Sequence, residues 1–231
     1  MVGPEANTPE FFDTQISERW ETFLSEEWDF SRRYESARLF DFVQPATILD
    51  IGCGCGFHGP ELARPESVKL VHETDWSAKC IEKANEVYPH PKVERFPADY
   101  RNLDGKYDLV TSFQVIEHIP DAEEFLTACR RLSNGHVAVV TPNFDRLDNL
   151  LADMRRKPRS FVDPKHYREF TRRTLRESAR RCGLEECGFF AYDLYSTSTP
   201  FLRSMNYRKR VPLGRWFPWG ARVLGSIFRT V

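Results

Sequence analysis

The segment that most restricts how this chain can fold runs from Ile48 to Gly56. A short apolar strand leads there directly into a loop with glycine at positions 52, 54 and 56. Glycine carries no side chain, so a ligand can lie against the backbone of such a loop. A helix is predicted for Phe57 to Leu62, and its N-terminus would direct free N–H groups and a positive dipole end toward the ligand. The pattern predicts a site for a nucleotide cofactor.

Around this loop, strand-like and helix-like patterns alternate from residue 46 to about 192. Apolar runs typical of strands are Thr47–Ile51, Val68–Val71, Tyr107–Phe113, His136–Thr141 and Gly188–Tyr192. Helical periodicity is found in Ser77–Tyr88, Asp121–Leu132, Asp145–Met154 and Thr171–Cys182. Strands that alternate with helices predict an α/β fold with a doubly wound, mostly parallel sheet.

Two further helices are predicted ahead of the glycine loop, because apolar residues recur there at helical spacing. The first set is Phe12, Ile16, Trp20 and Phe23, and the second is Phe30, Tyr34, Ala37 and Phe40. These two amphipathic helices are expected to pack on the core of the domain.

Acidic residues beyond the loop strengthen the cofactor prediction. Asp75 lies 19 residues after Gly56, at the end of the second strand, where a carboxylate can accept hydrogen bonds from both hydroxyls of a ribose. Trp76 offers a flat aromatic face to adenine. Asp99 and Tyr100 follow a short third strand. Each acid could instead be a turn or cap residue, but their joint spacing favours ligand binding.

The same residues resemble a known family. Asp50 and the glycines are similar to motif I of class I S-adenosylmethionine (SAM) methyltransferases, and Glu117–Asp121 resembles the region after their fourth strand. The segment Tyr107–Asp121, together with Val140–Asn143 on the next strand, is similar to the broad group that includes ubiquinone-pathway O-methyltransferases. The resemblance covers residues 46 to about 190. It is specific for the cofactor and the fold, and not for the substrate.

This resemblance implies a Rossmann-like sheet of seven strands with SAM as the cofactor and the leading helices as a lid. It places the loop Gly52–Gly56 against the amino-acid part of SAM and Asp99 near the adenine amino group. The predicted cofactor-binding residues are Asp50, Gly52, Gly54, Gly56, Asp75, Trp76, Asp99, Tyr100 and Phe113.

A nicotinamide-dinucleotide oxidoreductase is the nearest alternative, because Gly54–Gly59 also fits the GxGxxG pattern and Asp75 lies about where a ribose-binding acid would. A single match of this kind is weak. Asp50 and the segment Tyr107–Asp121 favour the methyltransferase instead.

Methyl transfer from SAM needs few protein groups, because the sulfonium is already activated for in-line attack. The enzyme aligns the nucleophile with the methyl group and adds a base when the nucleophile is a hydroxyl. His118 follows the fourth strand, and His166 lies in a loop that could fold over the same face. These are the candidate catalytic residues. The alternative is that His118 caps the next helix and His166 pins a loop.

Both histidines also resemble cation ligands of some family branches. Ubiquinone O-methyltransferases and small-RNA 2′-O-methyltransferases resemble this chain at a Glu-x-x-Glu-His motif that helps to hold a divalent cation. The small-RNA enzymes add a later histidine in a segment similar to His166–Thr171. Here Gln114 replaces the first acid, which removes a negative charge that hard cations favour. No metal ligands are therefore predicted.

Composition limits the remaining functions. A chain of 231 residues, 41% of them apolar, can bury one core, so one domain is expected with a helical lid (1–45), a SAM-binding core (46–192) and a basic aromatic tail (193–231). The net charge of −1 does not support a nucleic-acid partner. Six cysteines without CxxC pairing or a secretory leader favour the cytoplasm. No apolar run approaches the roughly 20 residues of a membrane-spanning helix.

The tail departs from the family pattern, because Leu194 to Val231 contains no acidic residue. Its basic residues are Arg203, Arg208, Lys209, Arg210, Arg215, Arg222 and Arg229, and they are interleaved with Phe201, Tyr207, Trp216, Phe217 and Trp219. Such a segment suits an anionic membrane surface or a phosphate-bearing substrate. The alternative is an extension packed on the core with solvated arginines. The last strand of the sheet is either Val223–Val231 or absent.

We therefore expect a cytoplasmic SAM-dependent methyltransferase that methylates oxygen on a small or lipid-linked metabolite, with peripheral membrane contact through the tail. Two alternatives remain open. One is an enzyme that methylates the ribose 2′-oxygen of RNA, and the other is a binding module that keeps the SAM fold without catalysis.

Overall fold

The computed structural model describes residues 7–14 and 24–231. Its strands are β1 (Thr47–Ile51), β2 (Leu70–Asp75), β3 (Val93–Pro97), β4 (Tyr107–Phe113), β5 (Ser133–Pro142), β6 (Leu184–Tyr192) and β7 (Val223–Thr230). They form one seven-stranded sheet in the order β3-β2-β1-β4-β5-β7-β6. The first five strands are parallel, and β7 is antiparallel to both of its neighbours. The predicted seven-stranded α/β fold is confirmed.

Helices cover the sheet. They are α1 (Glu26–Leu39), α2 (Gly59–Leu62), α3 (Ala78–Val87), α4 (Ala122–Leu132), α5 (Leu147–Met154), α6 (Arg172–Arg181), α7 (Pro200–Ser204) and α8 (Tyr207–Leu213). Residues 9–14 are also helical. Side-chain caps set several of the starts. Asp121 accepts backbone N–H groups ahead of α4, and Thr171 forms a capping box with Thr174 ahead of α6. Within the described residues, every helix is too short or too polar to cross a membrane.

The sheet separates two apolar clusters. Neighbouring residues of a strand point to opposite faces, so Leu49 and Val110 join one cluster whereas Ile48 and Leu109 join the other. The first cluster packs against α4 and α6, and the second includes Leu39 of α1. Each large side chain buried in this way stabilises the fold by roughly 1.5–3 kcal/mol.

Three strands are longer than predicted because polar residues interrupt the apolar pattern. Strand β5 begins at Ser133, three residues before the predicted start, and ends at Pro142. Strand β2 begins at Leu70 and extends to Asp75, because Glu73 and Thr74 are buried inside the sheet although they are polar. Strand β6 begins at Leu184, four residues before the predicted start. It is an edge strand, and its Glu185 forms an ion pair with Arg229 of β7.

Strand β7 supplies the last strand, which the sequence pattern left open. Leu224, Ile227 and Phe228 are buried between β5 and β6, so this end of the tail is part of the core.

Helix α1 buries a polar face. Phe30 and Tyr34 pack on the second cluster as predicted, but Ala37 is exposed, whereas Arg32 and Glu35 are buried. The polar side chains face a cavity, which helical periodicity of apolar residues cannot reveal. Of the other predicted helix, Ile16, Trp20 and Phe23 lie outside the described residues.

Candidate active site

A cavity of about 610 Å³ lies at the carboxyl ends of β1, β2 and β4. The chain moves outward from β1 to β3 and then starts β4 on the other side of β1, so the strand order reverses here. Ligands of open parallel sheets bind at such a switch point. All predicted site residues line this cavity except Asp50 and Gly56.

The three glycines of the loop have different roles, although all three have a positive φ, of 76°, 54° and 73°. A Cβ at Gly52 would lie 2.5 Å from Val115, and one at Gly56 would lie 2.7 Å from Ala84. A Cβ at Gly54 would meet nothing within 4 Å, and this residue lines the cavity. Gly54 therefore leaves room for a ligand, whereas Gly52 and Gly56 also allow close packing.

The helix predicted after the loop is a single turn, α2, which starts at Gly59. One turn has only a small dipole, so the predicted contribution of a helix N-terminus is reduced to that of its local N–H groups. Beneath it, Arg95 and Glu73 form a buried ion pair of 2.6 Å. A Cβ at Gly59 would lie 2.3 Å from the Glu73 carboxylate, so a side chain there would displace this pair.

Asp50 supports the loop from behind. Its side chain is buried and accepts a hydrogen bond of 2.8 Å from the Thr111 hydroxyl. Burial and the nearby Glu73 carboxylate raise the pKa of Asp50 well above its usual value. Asp50 is among the predicted cofactor-binding residues but does not line the cavity, because its carboxyl group lies between strands β1 and β4.

Asp75 links the end of β2 to the glycine loop. Its two carboxylate oxygens accept the backbone N–H groups of Gly54 at 3.0 Å and Ser77 at 2.9 Å. Burial raises its pKa, although these two hydrogen bonds oppose the shift. A carboxylate has about four lone-pair sites, so acceptor capacity remains for the hydroxyls of a ligand.

Beside Asp75, aromatic and acidic side chains form the next part of the wall. Trp76 is partly exposed, with its ring 6.0 Å from that of Phe12 in the N-terminal helical residues. Tyr100 also lines the cavity, and burial raises its pKa to about 12. The Asp99 carboxylate is already bound by Arg101, which lowers the pKa of Asp99. A ligand would therefore share this carboxylate with Arg101.

Helix α1 contributes residues that the sequence patterns missed. Arg32 lines the cavity, with its guanidinium 3.9 Å from the centre of the Phe57 ring. Glu35 accepts hydrogen bonds from His58, at 2.8 Å, and from the Tyr192 hydroxyl. In the sequence, the only indication of Arg32 and Glu35 was that both are charged residues on the side of the helix that faces the core. We call this part of the cavity, with the glycine loop and Asp75, the cofactor end.

In another part of the cavity wall, Glu117, His118 and His166 come together, and we call this part the histidine end. The two imidazole rings are 4.8 Å apart and nearly perpendicular. The Tyr167 backbone N–H donates to the Glu117 carbonyl at 2.9 Å, which joins the loop after α5 to the turn after β4. The structure thus brings both predicted histidines to one face, where Glu117 joins them.

The environment perturbs two of these three groups. Burial raises the pKa of Glu117 to about 7 although the nearby His166 opposes the shift. Burial, and then repulsion from His166, lowers the pKa of His118 to about 4. At neutral pH, His118 is therefore neutral. A ligand that binds at this end can therefore interact with an uncharged imidazole and with a carboxyl group whose pKa is near neutrality.

A model of a methyltransferase domain family matches residues 21–186, which is more than half of the chain. The chain belongs to this family. Family membership confirms the predicted enzyme class, and SAM is the family's methyl donor. SAM is therefore assigned as the cofactor of this methyltransferase, whereas the assignment of the residues that bind it is a proposal.

The methyltransferase is similar to two ubiquinone biosynthesis O-methyltransferases. That of Rhizobium rhizogenes (strain K84) is 33% identical over 125 residues, which cover 50% of this chain and 47% of the relative. That of Photorhabdus laumondii is 27% identical over 173 residues, which cover 63% and 68%. The chain thus spans about half the length of the first relative.

Solved structures agree on the fold. Magnesium protoporphyrin IX methyltransferase from Synechocystis PCC 6803, with bound S-adenosylhomocysteine (SAH), superposes with a TM-score of 0.67 at 17% identity. The superposition covers 96% of this chain and 98% of that chain. The methyltransferase therefore shares the fold of that enzyme over nearly its whole length.

Proposed function

We propose that the methyltransferase transfers the methyl group of SAM to a hydroxyl oxygen of a small or lipid-linked metabolite. The observation that carries this proposal is the pairing of His118 and His166 at the histidine end, beside the Glu117 carboxyl group. Attack by a hydroxyl needs a proton acceptor, and these groups supply one within a cavity. The similarity to ubiquinone biosynthesis O-methyltransferases supports oxygen as the acceptor atom.

In this proposal SAM lies along the cofactor end. Gly54 leaves space for it, Asp75 accepts the ribose hydroxyls, and Trp76 and Asp99 flank the adenine. Arg32 faces the cavity from α1 and supplies the positive charge that would balance the carboxylate of the amino-acid part.

The acceptor hydroxyl lies at the histidine end. Its oxygen forms the new bond to the methyl carbon, the bond from that carbon to sulfur breaks, and SAH leaves. The hydroxyl proton passes to a protein group. His118, with a pKa near 4, is a poor final acceptor for it, whereas the pKa of Glu117 near 7 suits a base at neutral pH. We assign His166, whose ring lines the cavity beside His118, as the first acceptor of the proton, and Glu117 as the neighbouring group to which the proton can pass.

The same residues also fit a divalent cation. Donor atoms of Glu117, His118 and His166 lie within 4.8 Å of one another, and Nδ1 of His118 is buried without a hydrogen-bond partner among the described residues. Two imidazoles and one carboxylate suit zinc or iron better than magnesium. A cation held there would polarise the acceptor hydroxyl and ease its deprotonation.

Acceptor specificity is tested by following a labelled methyl group from SAM to phenols, catechols, polyprenyl-linked catechols, sugars, amines and RNA. We expect ether products from hydroxyl acceptors, because the histidine end offers a proton acceptor. The double variant His118→Ala, His166→Ala is the negative control, which gives the background level of product. Products methylated only on nitrogen or on RNA ribose would contradict the proposal, and no turnover with the whole panel would favour a binding module.

A lipid-linked acceptor is supported by the segment between β6 and β7. Phe201, Trp216 and Trp219 are 71%, 73% and 63% exposed, which is unusual for large aromatic side chains. Four of the seven tail cations, Arg208, Arg210, Arg222 and Arg229, lie within 4 Å of a carboxylate. The other three, Arg203, Lys209 and Arg215, make no such ion pair with the described residues. Exposed aromatics beside unpaired cations suit an anionic membrane surface.

We expect the protein to bind vesicles that contain phosphatidylglycerol and to bind phosphatidylcholine vesicles poorly. Added salt should release it, because attraction between exposed charges decays over about 10 Å at 0.1 M ionic strength. Replacing Trp216, Phe217 and Trp219 with serine should weaken binding at every salt concentration, since the apolar part of the contact is lost. Co-sedimentation measures both effects.

The matched control is Met154→Ser, which removes an apolar side chain that is 80% exposed and lies outside this segment. It should leave vesicle binding unchanged. Equally poor binding to both kinds of vesicle, together with a lower melting temperature of the triple variant, would mean that the aromatics belong to the core.

A further inference from the structure

Glu169 lies directly behind His166, in a row of three ionisable side chains. The Glu169 carboxylate is 2.8 Å from Nδ1 of His166 through one oxygen and 2.5 Å from the Arg146 guanidinium through the other. All three side chains are buried, and that of Glu169 is fully so. The backbone N–H of Val162 also donates to the oxygen that His166 contacts.

The hydrogen bonds around Glu169 determine which nitrogen of the His166 imidazole carries the hydrogen. Arginine is always charged and only donates, and Arg146 forms a buried ion pair with the Glu169 carboxylate. An ionised carboxylate only accepts, and the Val162 N–H already donates to the same oxygen. Nδ1 of His166 must therefore carry a hydrogen and donate it. In the neutral ring, this leaves the lone pair on Nε2.

The position of His166 makes the Nε2 lone pair available to a ligand in the cavity. The ring lines the cavity 4.8 Å from the ring of His118, and Nδ1 is occupied by Glu169, so Nε2 is the nitrogen available to a ligand. A third group that orients the base is a recurring arrangement in enzymes with an activated nucleophile, and it also orients metal-bound imidazoles.

We propose that Glu169 is a positioning residue that holds His166 in the tautomer with its Nε2 lone pair toward the acceptor, and that Arg146 anchors the Glu169 carboxylate behind it. This inference rests on the proposed function for the use of the lone pair, but the tautomer can be measured without activity. Glu169 does not line the cavity, so it acts through His166.

The tautomer is read from the ¹⁵N resonances of the imidazoles in the folded wild-type protein with SAH, assigned with His166→Ala. We expect a protonated Nδ1 and a bare Nε2 for His166. A proton on Nε2 in the wild-type protein would overturn the inference without any need for a variant of Glu169.

The second measurement uses Glu169→Gln, which keeps the size of the side chain and removes its charge. We expect a mixture of tautomers, a kcat lower by about 10- to 100-fold and an unchanged KM for SAM. The matched control is Glu123→Gln, which breaks the exposed ion pair with Arg181 and should change neither. Normal kcat and tautomer in Glu169→Gln would overturn the inference, whereas normal rates in His166→Ala would contradict the proposed function instead.

Discussion

Replacing His166 with alanine is expected to lower kcat for methyl transfer to a hydroxyl by about 100- to 10,000-fold, the usual contribution of a positioned base. The affinity for SAH should stay nearly constant, because we propose that the cofactor is held by the glycine loop and Asp75 and not by His166. Steady-state rates and calorimetry with SAH measure the two quantities separately. The same separation is expected for His118→Ala, with a smaller loss, since its pKa near 4 makes it a weaker base.

His136→Ala is the matched control, because His136 lies on β5 and does not line the cavity. Wild-type rates in both His118→Ala and His166→Ala would show that these residues only support the loop and the turn that carry them. Exhaustive chelation separates the two chemical roles. Activity that survives chelation and disappears in the variants indicates a base, whereas activity that returns with an added divalent cation indicates a metal site.

Asp75→Ala is expected to weaken SAH binding by about 1–3 kcal/mol, a rise in Kd of roughly 5- to 150-fold. The carboxylate is expected to accept the ribose hydroxyls, and it also holds the Gly54 N–H at 3.0 Å, so its loss affects both the ligand contact and the loop. Isothermal calorimetry gives the change in Kd. Asp75→Asn should cause part of this loss, because the amide oxygen can still accept while the negative charge is gone.

Asp108→Ala is the matched control for this experiment. Asp108 also accepts two backbone N–H groups, those of Ala46 and Thr47, both at 2.9 Å, but it does so at the amino end of the sheet. Its loss should lower the melting temperature and leave SAH affinity unchanged. An unchanged Kd in Asp75→Ala would exclude the ribose contact, and an equal loss of affinity in Asp108→Ala would mean that both variants act through stability.

Several features were predictable because their causes are local. A glycine loop after an apolar strand requires backbone conformations that other residues avoid, and the structure has positive φ at Gly52, Gly54 and Gly56. The bounds of β1 and β4 agree with prediction because most of their residues are apolar and nearly all are buried. The caps Asp121 and Thr171 act within three residues of themselves, so helix starts near them are also visible in the sequence.

Other features depend on contacts between distant parts of the chain. The bounds of β2 were wrong because Glu73 is buried only through its partner Arg95, 22 residues later. The polar inner face of α1 is explained by the cavity that Arg32 and Glu35 face. Strand β7 was undecided because its burial requires both β5 and β6 beside it.

The sequence by itself determined the fold class, the methyltransferase family and the use of SAM, because these follow from the order and spacing of short motifs, each of which can be recognised without its tertiary contacts. Only the tertiary structure decided which of those residues face the cavity. Asp50 turned out to lie behind the loop, whereas His118 and His166, 48 positions apart, meet at one end, with Glu169 behind His166. The physical reason is that burial, hydrogen-bond direction and pKa depend on what packs against a side chain, and those partners come from elsewhere in the chain.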